Sequence, residues 1–93
     1  MKINYTQEFV NLLNEQLIYI AKDKPKASRK FKNDLLSALK KDLQFPYNFK
    51  KSIYFDNELI RDYTFKNYTI VYSINETIDN VEVFEFIKYM ESL

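Results

Sequence analysis

The hydrophobic period of this chain changes once, at Phe45-Pro46, and that change constrains the fold more than any other feature. Before it, Phe9, Leu13, Leu17 and Ile20 recur at spacings of four, four and three, with Val10 and Leu12 widening the stripe. This is one face of an amphipathic helix. Thr6 is a good N-cap, Gln7 and Glu8 occupy the first turn, and the helix is expected to end near Ala21–Lys22. Asp23-Lys24-Pro25 breaks it and starts the next, because proline fits the first helical position. Ala27, Phe31, Leu35 and Leu39, supported by Leu36 and Leu43, form the apolar face of a second helix from about Pro25 to Asp42. The short break makes the pair an antiparallel hairpin.

Beyond Pro46 the period becomes two. Leu59–Phe65, Tyr68–Ile74 and Asn80–Ile87 read as strands rich in Ile, Val, Tyr and Phe. Lys2–Tyr5 suits a short edge strand. Ile53–Phe55 suits either a further strand or part of the loop. Lys66-Asn67 and Asn75-Glu76-Thr77 are turns. Gly is 0, so left-handed turn positions fall to Asn and Asp; at the first turn Asn67 is expected to take that role. With Lys66-Asn67 as a two-residue loop, Phe65 faces Tyr68, Tyr63 faces Ile70, Arg61 faces Tyr72 and Leu59 faces Ile74. These residues share one sheet face; Ile60, Asp62, Thr64, Thr69, Val71 and Ser73 share the other. The expected architecture is α+β, with an N-terminal antiparallel helical hairpin packed on a C-terminal antiparallel sheet of three to four strands. Residues 1–93 are expected to form a single domain.

Composition narrows the chemistry. His is 0 and Cys is 0, which excludes a histidine base, a thiolate nucleophile and a disulfide framework. The lack of glycine excludes glycine-rich phosphate cradles. No metal site and no cofactor are expected. The N-terminus has no apolar core of a signal peptide, and no apolar run approaches the ~20 residues of a membrane span. A cytoplasmic setting without membrane contact is the expectation. Net charge is +1, unevenly spread: residues 1–51 carry eleven basic against five acidic groups, residues 52–93 three against eight.

The stretch IRDYTFKNYTIVYSI, residues 60–74, resembles the strand pair of RelE/ParE-family toxins. In that family a strand arginine precedes an aromatic turn region and a Tyr-x-Ile-x-Tyr-x-Ile strand. The helical half is similar too: Tyr19-Ile20-Ala21-Lys22-Asp23 ends the first helix, and a Phe-centred second helix closes near Phe45-Pro46. The resemblance implies the toxic half of a type II toxin–antitoxin pair. ParE-like members inhibit DNA gyrase. RelE-like members cut mRNA in the ribosomal A site without a metal. Both are neutralised by an antitoxin protein, and operator DNA is reached through the antitoxin. A ParE-like toxin is the leading expectation, with a RelE-like endoribonuclease and a non-toxic antitoxin-binding module as alternatives.

The same resemblance nominates residues. Arg61 matches the family's strand arginine. A nuclease would stabilise phosphorane charge and move protons with basic and phenolic groups, here Arg61, Lys88 and Tyr89. Target binding, to gyrase or to ribosome and mRNA, would fall to Lys50, Lys51 and Arg61. The alternative for Arg61 is a structural stack on Tyr63 or Tyr72. The missing histidine, the lone arginine of the sheet half and that half's acidic balance weigh toward the protein-binding toxin.

Overall fold

The computed structural model describes residues 1–88. Strand β1 (Lys2–Tyr5) leads into helix α1 (Gln7–Asp23) and helix α2 (Pro25–Asp42). A single 3₁₀ turn, Pro46–Asn48, marks the change of period. Strands β2 (Ile60–Phe65), β3 (Tyr68–Asn75) and β4 (Asn80–Lys88) follow. Ile53–Phe55 lies in the connecting loop and forms no strand.

The caps follow the local chemistry. Thr6 Oγ1 accepts the Phe9 N–H at 3.1 Å, which satisfies one orphan donor of α1. Pro25 opens α2. Phe9, Leu13, Phe31, Leu35 and Leu39 are buried as their spacing requires, with Leu17 and Ile20 packed partly against them. One position differs. Ala27 is exposed, and its neighbour Ser28 is buried instead. The Ser28 hydroxyl donates to the Leu17 carbonyl at 2.7 Å. A small side chain that carries its own donor suits the place where two helix backbones lie close together.

The sheet order is β1-β4-β3-β2. The β2–β3 register matches the expected one, with Arg61 opposite Tyr72, Tyr63 opposite Ile70 and Phe65 opposite Tyr68. The sheet is mixed rather than wholly antiparallel, because β1 pairs with β4 in parallel from Lys2–Asn80 to Tyr5–Val83. Both helices and the β2–β3 hairpin intervene between those two strands, and parallel neighbours require such a long crossover. The Lys66-Asn67 turn also differs from expectation. Lys66, not Asn67, takes the left-handed backbone, at φ 54°. Its ammonium lies 5.5 Å from the Phe65 ring centre and 5.7 Å from that of Phe31, contacts that offset part of the backbone cost. At the second turn an aspartate, Asp79, takes φ 51°.

One sheet face meets the helices. Tyr63, Ile70, Tyr72, Val81, Val83 and Phe86 close the core against the buried residues of α1 and α2. Between Val71 and Tyr72 the β3–β4 register slips by one residue, so Val83 and Phe86 both face the core although three apart. The bulge leaves Phe84 and Glu85 on the outer face. Phe84 there meets Phe55 of the loop edge-on, 5.4 Å between ring centres.

Two phenols join the helical half to the sheet. The Tyr63 hydroxyl donates to Asp42 Oδ2 at 2.6 Å, and the buried Tyr72 hydroxyl donates to the Pro46 carbonyl at 2.5 Å. Burial raises both phenols well above the ordinary tyrosine range; the Asp42 carboxylate adds to the effect at Tyr63. Folding therefore holds their protons more tightly than the unfolded chain does. Their contribution to stability is complete below the unfolded value of 10.0 and is lost as pH climbs through and above it. We predict that urea midpoints stay level up to about pH 10 and fall beyond it. A Tyr63→Phe, Tyr72→Phe double variant is less stable at neutral pH but shows a flatter alkaline decline. Leu35→Ala, which empties a site of 0% exposure, lowers stability by about 2–5 kcal/mol in the same titration.

Candidate functional site

Arg61 is the residue that the strand motif singles out most strongly. It sits on β2 opposite Tyr72. Its guanidinium is already engaged: Nε donates to the Glu58 carbonyl at 2.8 Å and an Nη donates to the Phe49 carbonyl at 2.9 Å. Its carbon centre lies 5.2 Å from the Tyr47 ring centre. The stacking partner is thus Tyr47 of the 3₁₀ turn, not Tyr63 or Tyr72. Two of its five N–H donors hold backbone carbonyls on opposite sides of the 50–57 loop. A backbone bridge between Lys51 and Arg61 closes the loop at the same point. Nothing in the sequence pattern marked Tyr47 or the Phe49 carbonyl, because the contact joins residues that no periodicity relates.

Lys50 and Lys51 lie beside the first half of β2. Ser52 N–H donates to the Ile60 carbonyl at 2.8 Å, and Asp62 N–H donates to the Lys50 carbonyl at 3.0 Å. The Lys51 ammonium meets Asp56 Oδ1 at 2.9 Å and Glu58 Oε1 at 3.9 Å. The Asp56 hydrogen bond and charge hold that ammonium above the usual lysine range, and Lys51 in turn holds the Asp56 carboxyl below its own. A lysine held protonated in this way is unsuited to act as a base. Lys50 is exposed.

Lys88 stands elsewhere. It ends β4 opposite Tyr68, with its ammonium 5.5 Å from the Tyr19 ring centre on α1. Along β3, Tyr68 and Tyr72 are four residues apart, roughly 13 Å at ~3.3 Å per residue. The structure therefore gathers Lys50, Lys51 and Arg61 at one end of β2 and keeps Lys88 away from them. Tyr89 lies outside the described residues. Among the described residues, no three His, Cys, Asp or Glu side chains come together as a metal site. No described helix is long and apolar enough to cross a membrane.

A cleft of about 510 Å³ opens on the outer sheet face, between the 48–53 segment and β2. Phe49, Lys50, Ile53, Asp62, Thr64 and Thr69 are among its lining residues. Asp62 Oδ2 accepts the Ile53 N–H at 3.0 Å, while the buried Oδ1 has no donor among the described residues. The alternation of the strands placed Asp62 on this face, but an acidic side chain on a solvent face carries no signal of its own. Its importance comes from the loop that folds over it.

The bonds of Arg61 make a structural prediction. Arg61→Ala leaves the Phe49 and Glu58 carbonyls without their charged donor and removes the stack on Tyr47. We expect a loss of about 1.5–3 kcal/mol in urea denaturation with little change in slope. Arg61→Lys recovers little of it, because an ammonium cannot reproduce the fork that spans both carbonyls.

Similarity to known proteins agrees with this geometry. The model of the ParE toxin of type II toxin–antitoxin system, parDE, matches residues 3–89. A solved structure described as the chromosomal ParDE TA system from P. aeruginosa superposes with a TM-score of 0.77 at 13% identity, covering 97% of this chain and 97% of that one. At that identity the superposition speaks to the fold: two helices against a four-stranded sheet. No curated protein sequence matches. The family match spans nearly the whole chain, and with the helical hairpin, the sheet order and the strand arginine already in place, the chain belongs to the ParE toxins of type II toxin–antitoxin systems.

Proposed function

We propose that this chain acts by binding and blocking an essential protein, with DNA gyrase as the target the family resemblance implies, and that a cognate antitoxin protein neutralises it. The observation that carries this reading is the engagement of Arg61. A nuclease of the related kind needs a free arginine or lysine set facing one phosphate. Here the arginine is held by two backbone carbonyls and an aromatic ring, Lys51 is paired with Asp56, and Lys88 lies at the far end of the sheet. The outer sheet face supports the same conclusion. On β2, β3 and β4 its ionisable side chains, Asp62, Glu82 and Glu85, are all carboxylates, with Lys2 of β1 at the opposite edge, and they oppose a polyanionic backbone. The exposed apolar groups of the turn and loop, Phe45, Tyr47, Ile53 and Tyr54, suit contact with a protein surface.

Two reactions with the purified chain test the proposal. In a supercoiling reaction with gyrase, we expect loss of negatively supercoiled product in proportion to the chain added. In a coupled translation reaction probed by primer extension, we expect intact mRNA. Codon-aligned cleavage that persists in the absence of gyrase inhibition would sink the proposal in favour of a ribosome-dependent nuclease. Unimpaired growth on induction of the chain alone would remove the toxin reading itself.

A further inference from the structure

The outward face of α2 is a stripe of cations. Lys26, Arg29, Lys30, Lys40 and Lys41 share that face by helical spacing, and all are exposed. The exposed Asn33 and Ser37 fill the stripe between Lys30 and Lys40. Ser28, Phe31, Leu35 and Leu39 are buried on the opposite face. Both carboxylates of α2 are engaged: Asp34 meets Lys30 at 2.9 Å, and Asp42 accepts the Tyr63 hydroxyl. The other four cations of the stripe make no ion pair among the described residues. Lys40 and Lys41 sit in the last turn, where the helix dipole favours positive charge. Lys26 and Arg29 have no such reason. The first turn holds no acid, its N-cap Lys24 offers no side-chain bond, and the dipole at that end disfavours cations. The fold gains nothing from positive charge there.

We propose that this stripe docks on the sugar–phosphate backbone of duplex DNA, and that the DNA is the segment held by the gyrase that the chain blocks. The inference rests on the gyrase reading given under the proposed function. The occupant follows from what the stripe has and what it lacks. Protein interfaces are depleted of lysine at their centre and enriched in aromatic side chains. A helix that lies on a membrane sets large apolar groups against its cations. A single nucleic-acid strand is held by aromatic platforms for its bases. Among the described residues, none of the exposed large hydrophobic side chains lies on α2. A row of phosphates asks only for cations and small donors. Lys30 and Lys40 stand ~15 Å apart along the axis at ~1.5 Å per residue, enough to reach phosphates on both sides of a groove ~12 Å wide. Asn33 and Ser37 between them donate hydrogen bonds to phosphate without repelling it. Asp62, Glu82 and Glu85 lie on the sheet face turned away from the helices, so a duplex is drawn to one side of the molecule and repelled by the other.

The test compares the full native chain with a triple variant, Lys26→Glu, Arg29→Glu, Lys40→Glu. All three positions are exposed, and an unchanged thermal midpoint checks the fold of the variant. The first measurement is fluorescence anisotropy of a labelled duplex of arbitrary sequence. For the native chain we expect the logarithm of the binding constant to fall against the logarithm of salt with a slope of about −3 to −4, as for roughly four neutralised phosphates. The triple variant should bind about tenfold more weakly and with a flatter slope. The second measurement is gyrase supercoiling, where roughly fivefold more of the variant should be needed for half-inhibition. A native chain that inhibits gyrase but binds the duplex no better than the variant does overturns the inference and leaves the gyrase reading standing. So does a variant that inhibits at the native concentration. Tighter binding of the native chain to a single strand, to polyglutamate or to vesicles of anionic lipid than to the duplex also overturns it. A native chain that leaves supercoiling untouched overturns the gyrase reading, and the inference with it.

Discussion

The Tyr72 hydroxyl, buried in the core, donates to the Pro46 carbonyl, and the rest of the molecule is arranged around that bond. Pro46 stands where the helical period ends and opens the 3₁₀ turn that leads toward the sheet. A carbonyl turned toward the core without a donor would cost about 1–3 kcal/mol. Tyr72 supplies that donor from the centre of β3. The position of the 3₁₀ turn is thereby tied to the register of the sheet. Tyr63 repeats the device one step along, from β2 to Asp42 at the end of α2. These bonds make one core from two halves that differ in period.

Arg61 extends the same joint outward. Once the 3₁₀ turn is fixed, Tyr47 presents a ring for the guanidinium, and the Phe49 and Glu58 carbonyls come within reach of its two nitrogens. The strand arginine then holds the loop that runs from the helices to the sheet. This geometry gives Arg61 a structural role and leaves its guanidinium engaged rather than free for phosphate chemistry. It also explains the shape of the outer face, because the loop held by Arg61 folds over the first half of β2 and stops at Asp62.

Much of the fold was legible in advance because it is written in short-range periods. The stripe from Phe9 to Ile20, the proline start of α2 and the alternation from Arg61 to Ile74 each depend on neighbours within a few residues. The β2–β3 register followed from a two-residue turn and a pleat of period two. The misses were long-range or marginal. Parallel pairing of β1 with β4 joins residues more than seventy positions apart. Lys66 takes the left-handed turn position instead of Asn67 because two aromatic rings, one from α2, lie beneath its ammonium. Ser28 replaces Ala27 at the helix contact because the rotation of α2 about its axis is set by packing, not by its apolar count.

The candidate site divides along the same line. By itself the sequence determined which elements form, which sheet face is apolar, that thiolate, imidazole and glycine-cradle chemistry are absent, and that Arg61 is the lone arginine of the sheet half. Only the tertiary structure decided what Arg61 does, that Lys88 stands apart from it, and that Asp62 keeps one carboxylate oxygen without a donor at a half-covered edge. The physical reason is the range of the forces. Hydrophobic period and turn chemistry act along the chain and can be read there, whereas hydrogen bonds to backbone carbonyls and the covering of a strand edge depend on segments that meet only after the core has closed.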